Sequence, residues 1–265
     1  MKRYILFFTL FFITTSLNAS LVAYYDFEHN IDDSTSNSYN LDVSGGSEAY
    51  SSTAIRGSTS YSFNGNDNYL ELASQGSFTN SDTGTISFWL KTSSNSDMSF
   101  FRMDTNENIE LLTDNDTLTA FYDAGNFAIN TKDEKDNPGI YNDSWHMVTE
   151  TFNNTSGSEK MYIDGILVSP LDTDQDNKFG LGSDLYVGGE SGSSGYYGYG
   201  GSSGTQYDGL MDDLRIYNNE LNATEVYDLF NPPTTKNGIA VPISPKAYIF
   251  LTLLLLIIGI KQTKS

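Results

Sequence analysis

The chain contains no cysteine. No disulfide can brace it, so an exported domain of this composition must be held by its core, with or without a bound ion. Basic residues are scarce: 14 Lys and Arg stand against 34 Asp and Glu, a formal net charge of −20. A surface that acidic repels nucleic acid and anionic lipid head groups, and nucleic acid is excluded as a partner. Only two histidines occur, His29 and His146, and with no cysteine beside them they do not assemble a transition-metal site. Long apolar runs are absent from the middle of the chain and confined to its ends. The middle is instead rich in aromatics, with 18 Tyr and 16 Phe. That suffices for the core of one large β-domain or two small ones.

The two ends read as export and attachment signals. Residues 1–19, MKRYILFFTLFFITTSLNA, have a basic start, an apolar run and a small residue at Ala19. This is the layout of a secretory signal peptide cleaved after Ala19. The other end is apolar from Ala247 to Ile260 and closes with Lys261 and Lys264. A run of about 14 residues at 1.5 Å each is at the short limit for crossing a bilayer. The trailing lysines would stay on the cytoplasmic side. The expected organisation is a signal peptide at 1–19, a folded domain at 20–231 and a linker at 232–246. A transmembrane or sorting helix at 247–260 and a basic cytoplasmic tail at 261–265 complete it. In layout, Val241–Ser265 resembles the PEP-CTERM sorting tails of bacterial surface proteins, although Val241-Pro242-Ile243 replaces the usual Pro-Glu-Pro. The resemblance implies a bacterial, surface-attached protein whose tail a membrane protease such as an exosortase handles; a plain membrane anchor is the alternative. Residues 20–241 keep every acidic residue and nine basic ones, a balance of −25. Such a surface attracts divalent cations, and it also serves simple solubility.

Between the ends, short apolar–polar alternations are separated by Gly, Asn, Asp and Ser clusters, the pattern of an all-β sandwich. LVAYYDF opens the domain, and SYSFNGNDNYLEL reads as two strands around the tight-turn pair Asn64-Gly65. GTISFWLKT places Ile86, Phe88 and Leu90 on one face. WHMVTETF and KMYIDGILV follow, the second turning at Asp164-Gly165, and DLYVGG and LMDDLRIYN close the series. NATEVYDLF alone reads as helix, with Asn222 or Thr224 as cap and Val226, Leu229 and Phe230 on one side.

These segments also carry a family resemblance. LVAYYDFEHNIDDSTSNSYNL, YSFNGNDNYLEL, TISFWLKT, WHMVTETFNN, KMYIDGILV, LYVGG and YDGLMDDLRIYNNELNATEVYDLF occur in the order and spacing of LamG-like jelly-roll domains. Those domains are the laminin-G-like branch of the concanavalin A-like lectin/glucanase fold. The resemblance covers nearly all of residues 21–230. It implies two curved antiparallel sheets packed face to face in a jelly-roll sandwich, with one short C-terminal helix. Members mostly bind glycans or proteins, and many hold one calcium ion.

The segment YDGLMDDLRIYNNEL poses a chemical question. Strict alternation puts Leu210, Asp212, Leu214 and Ile216 on one face. A carboxylate in an apolar row must be neutralised by protonation, hydrogen bonds, a cation or a metal. The resemblance implies a structural Ca2+ held by Asp212 with Asp33, Asp32 and Asn37 of the loop NIDDSTSNSYN, since calcium takes six to eight oxygens. The alternative is that Asp212 accepts loop N–H groups or pairs with Arg215. Asp213 is expected to face the other way, into solvent.

Other motifs are weaker. DTDQDNKFG, residues 172–180, begins with EF-hand spacing but has Asn177 where Gly is needed and Ser183 where Glu is needed. It reads by default as a solvated acidic turn. The Gly/Ser-rich stretch 188–209 carries Tyr196, Tyr197 and Tyr199, whose rings offer stacking surfaces for sugars; a plain flexible connector is the alternative. Trp89 and Trp145 are expected in the core. No strand shows the alternate carboxylates of a glucanase, and in ENIELL Glu107 and Glu110 fall on opposite faces. The expectation is therefore a non-enzymatic, calcium-supported binding or adhesion module for a glycan, matrix polymer or surface protein. A structural matrix or envelope component without a dedicated ligand, and a divergent glycan hydrolase, are the alternatives.

Overall fold

The alternating segments become strands. In the computed structural model, residues 20–232 are described apart from 73–77, 79–80, 105–108, 115–116, 123–126, 131–138, 154, 170–183 and 190–205. In chain order the strands are β1 (Leu21–Tyr25), β2 (Asp42–Ser44), β3 (Tyr50–Ser51), β4 (Ser60–Asn64) and β5 (Tyr69–Glu71). Next come β6 (Thr83–Lys91), β7 (Met98–Asp104), β8 (Ile109–Asp114), β9 (Thr117–Tyr122) and β10 (Phe127–Asn130). The series ends with β11 (His146–Asn153), β12 (Ser158–Ile163), β13 (Ile166–Ser169), β14 (Asp184–Val187), β15 (Asp208–Tyr217) and the helix α1 (Ala223–Phe230).

The strands form two antiparallel sheets. Sheet A runs β13-β12-β11-β6-β15-β4-β3, with β1 also paired to β15; sheet B runs β10-β9-β8-β7-β14-β5-β2. The first and last strands of the domain are therefore neighbours, through Tyr25↔Leu214, Tyr24↔Arg215 and Ala23↔Ile216. Inward rows meet in one core: Ile86, Phe88 and Leu90 from β6, Val148 and Phe152 from β11, and Leu70, Val187, Phe101, Leu111 and Ala120 across sheet B. Helix α1 begins as its sequence specifies. The Asn222 side chain accepts from the Thr224 and Glu225 amides, and the Glu225 side chain reaches back to the Asn222 N–H, a complete capping box.

A second apolar cluster lies on the outer face of sheet A. There Trp89, Met147, Tyr162 and Tyr217 pack with Leu221 and with Val226, Leu229 and Phe230 of α1. Trp89 stacks on Phe230 at 5.5 Å, so the expected interior position of Trp89 holds, under the helix and not between the sheets. Strands β7 to β10 escaped the alternation pattern for a geometric reason at β7. A bulge between Ser99 and Phe101 lets the consecutive Phe100 and Phe101 both enter the core. Among the described residues no helix is long and apolar enough to cross a membrane. The leader 1–19 and the apolar run 247–260 lie outside the described residues.

Candidate functional site

The row Leu210–Asp212–Leu214–Ile216 does not exist in the folded chain. Asp212 faces Trp89 and Arg215 faces Ser87, so three steps on β15 match two on β6. This bulge, with Asp213 in a left-handed conformation at φ 54°, reverses the facing of everything beyond it. Leu214 and Ile216 point into the core, while Asp212 points outward beside Trp89. Asp212 is nonetheless fully buried. One carboxylate oxygen accepts the backbone N–H groups of Ile55 and Arg56, at 3.0 and 3.1 Å. Burial pushes its pKa up to about 7, against the lowering effect of those two amides.

Asp213 corrects a second expectation. It is 4% exposed and takes Arg56 Nε at 2.8 Å and Arg215 Nη2 at 2.8 Å. Arg56 also donates to the Leu229 carbonyl of α1 at 2.8 Å and lies 5.8 Å over the Trp89 ring. The Asp-Asp pair of β15 is thus a clasp that fastens a distant loop and the helix to sheet A.

The four residues expected to hold calcium do not form one site. Asp33 is buried and its carboxylate is saturated. Its Oδ1 accepts from the Tyr24 and Thr35 amides, and its Oδ2 from the Thr35 hydroxyl and the Tyr39 amide, all within 2.8–3.0 Å. Asn37 donates its amide to the Val22 carbonyl at 2.7 Å, Asp32 is exposed, and Asp212 is held by a different loop. Among the described residues no three His, Asp or Glu side chains are grouped to hold a metal. The Asp33 carboxylate is filled by N–H and O–H donors, whereas on Asp212 only Oδ2 accepts, from Ile55 and Arg56, and the buried Oδ1 has no hydrogen-bond partner. The acidic turn 172–180 and Tyr196, Tyr197 and Tyr199 lie outside the described residues. His146 is a staple between loops: one ring nitrogen sits 2.8 Å from Asp164 Oδ2 and the other 3.2 Å from Asn142 Oδ1.

One pair of carboxyl groups was not anticipated. Glu150 of β11 and Glu159 of β12 both face inward, diagonally related because Glu150 opposes Met161 and Glu159 opposes Phe152. They are 0% and 2% exposed. Burial, with Glu159 alongside, drives the Glu150 acid well above its ordinary range. A glycosidase pair must reach a glycosidic bond, and this one is sealed among core side chains.

The outer face of sheet B offers a different arrangement. Asp42, Glu71, Tyr186, Arg102 and Glu110 lie in register, one per strand, across β2, β5, β14, β7 and β8. Tyr69, also outward, has its ring 6.4 Å from that of Tyr186, and Ser44 donates to its hydroxyl at 2.8 Å. Asp42 is exposed, Glu71, Tyr186 and Arg102 are half-buried, and Tyr69 and Glu110 are buried. Glu71 and Glu110 stand three inter-strand spacings apart, roughly 14 Å along the sheet, too far to flank one bond as acid and base. The row can stack on apolar ring faces and exchange hydrogen bonds with hydroxyl groups. Its Tyr69, Glu71 and Tyr186 lay in strands legible from sequence; Arg102 and Glu110 lay in strands that were not.

Comparison with known proteins agrees with this architecture. A family model described as the concanavalin A-like lectin/glucanases superfamily, of the laminin G type, matches residues 64–227. No curated protein matches the chain. Among solved structures, domain 4 of AbnA, a GH43 extracellular arabinanase from Geobacillus stearothermophilus solved with arabinotriose, superposes with a TM-score of 0.60 at 23% identity, covering 80% of this chain and 98% of that one. The binding domain of botulinum neurotoxin DC, solved once with a sialylated ligand (SialylT) and once with rat synaptotagmin II, gives a TM-score of 0.57 at 15% identity in both cases. Each covers 80% of this chain, which itself spans 51% of the toxin domain. At these identities the likeness is one of fold.

Proposed function

The chain belongs to the concanavalin A-like lectin/glucanases superfamily, and from that premise we propose that it is a non-catalytic binding module whose outer sheet-B face takes a neutral glycan chain. The outward row from Asp42 to Glu110 carries this reading. It spans four inter-strand spacings, roughly 19 Å, the scale of a short oligosaccharide. Tyr186 supplies aromatic surface, with the buried Tyr69 ring 6.4 Å from it, and the half-buried Arg102 and Glu71 supply hydrogen-bonding heads beside it. The acid surplus of the row, in a chain of net charge −20, favours neutral sugars over sialylated or uronate ones. The AbnA domain solved with arabinotriose supports a glycan ligand on this fold.

A protein ligand is the second reading, supported by the toxin domain solved with synaptotagmin. Export by the leader and tethering by the apolar tail would place the module at the cell surface, which accords with its acidic, cysteine-free composition. A glycan array probed with the full chain and with Tyr186→Ala tests the proposal. Binding to neutral glycans, lost in the variant, is the expected result. Binding confined to sialylated glycans, or neutral binding unchanged by Tyr186→Ala, overturns it.

A further inference from the structure

The hairpin of β11 and β12 meets the loop before α1 in a polar cluster on the outer face of sheet A. Asn153 opposes Ser158 at the hairpin end, and Lys160, the next outward position along β12, opposes Thr151. Asn153 and Lys160 are therefore diagonal neighbours on one face, within reach of long side chains. Glu220 comes over them from the loop after β15. The side chains of Lys160 and Glu220 are 27% and 20% exposed, and Asn153 is half-buried, so water is partly excluded.

The bonding within the cluster is more specific than an ion pair requires. Glu220 Oε1 takes the Lys160 amine at 2.5 Å and the Ser158 hydroxyl at 2.7 Å. Its other oxygen, Oε2, takes the Asn153 side-chain N–H at 3.1 Å. Asn153 Oδ1 in turn accepts the Ser156 N–H at 3.2 Å, which fixes the orientation of the carboxamide. One carboxylate thus bridges an amine and an amide, and a backbone donor rests on the amide oxygen. These are the parts of an acyl transfer: a nucleophile, a base on it, an acid at the leaving nitrogen and a donor for the oxyanion. Burial pushes the Glu220 carboxyl up, but its bonds to Lys160, Ser158 and Asn153 outweigh that and hold it below its usual range. It therefore enters as a carboxylate, the form that accepts a proton.

We propose that Lys160 and Asn153 become joined by an isopeptide bond, with Glu220 as the proton shuttle. Glu220 Oε1 takes a proton from the Lys160 ammonium, and the free amine attacks Asn153 Cγ. The oxyanion that forms at Oδ1 is held by the Ser156 N–H. Glu220 then passes its proton through Oε2 to Nδ2, and the Cγ–Nδ2 bond breaks. The carboxylate removes the surplus proton from the new amide nitrogen and hands it to the departing ammonia. In balance, one ammonium and one carboxamide give a secondary amide and an ammonium ion, and nothing is oxidised or reduced. Escape of the ammonium ion makes the step irreversible. The product is a covalent brace across the β11–β12 hairpin, in an acidic chain that has no cysteine for a disulfide.

The test is mass spectrometry of the full chain after tryptic digestion. The cross-link blocks cleavage after Lys160, because trypsin needs a free lysine side chain. It leaves a peptide running through residues 153–160 that is lighter than its sequence by one ammonia. That peptide is expected in the unmodified sequence after incubation at neutral pH. Asn153→Ala and Glu220→Gln should abolish it and restore cleavage after Lys160 at full mass. Lys160→Arg keeps the positive charge, should give full mass as well, and serves if the other variants are poorly folded. Complete cleavage after Lys160 at full mass in the unmodified sequence would overturn the proposal. So would an ammonia loss that maps to another position, or a cross-link that persists in Glu220→Gln.

Discussion

On sheet A the outward positions Trp89, Met147, Tyr162 and Tyr217 are large and apolar, and α1 lies over them. On sheet B the outward row Asp42, Glu71, Tyr186, Arg102 and Glu110 is polar or amphipathic, and Glu71, Tyr186 and Arg102 keep part of their surface open. Both faces arise from the same strand alternation around one core. An apolar face needs a cover, and α1 supplies it, fastened through Arg56 to Leu229 and Asp213. A face whose outward side chains end in polar heads needs none, and remains available to a ligand. Substitutions on sheet A should therefore be read in stability, and those on sheet B in binding.

The largest expected effect is on the covered side. Trp89→Ala should cost about 3–5 kcal/mol in urea unfolding, since it removes a buried ring stacked on Phe230 and under Arg56. A loss under 1 kcal/mol would mean that the helix is held by other contacts. Asp213→Ala should cost about 3 kcal/mol, because it leaves Arg56 and Arg215 without their shared carboxylate. Protease cleavage within α1 should speed up in parallel.

Buried acids give the next effect. The Asp212 pKa is raised to about 7 and that of Glu150 is raised too. A raised carboxyl pKa favours the folded state most below the unfolded value of about 4. Stability should therefore fall as pH rises from about 4 toward 7, by at most about 1.4 kcal/mol per pH unit for each proton involved. Asp212→Asn with Glu150→Gln should flatten that slope in thermal melts across the interval; an unchanged slope would place the titration elsewhere. The smallest stability effect belongs to the open face, where Tyr186→Ala should stay within about 0.5 kcal/mol while glycan binding is lost. Added chelator should leave the melting temperature unmoved, since both oxygens of Asp33 already have N–H and O–H partners; a fall would point to a cation on the unpartnered Oδ1 of Asp212.

Much of the fold was legible because strand alternation, the Asn64-Gly65 and Asp164-Gly165 turns and the Asn222 cap are local signals. The site was less legible. The face of Asp212 depends on one extra residue in β15, and a single-residue offset sends every later side chain to the opposite face. The burial of Asp213 depends on Arg56, 157 positions away in sequence. The contact of Lys160 with Glu220 is invisible in composition, because 60 positions separate the two and only folding joins them.

By itself the sequence determined a cysteine-free, acidic, all-β sandwich with one capped helix, since period, turn chemistry and charge act between near neighbours. The tertiary structure alone decided which carboxylates are satisfied, which face is covered and which aromatic rings reach solvent. Those outcomes are fixed where strands distant in sequence meet in register, and one bulge is enough to change them.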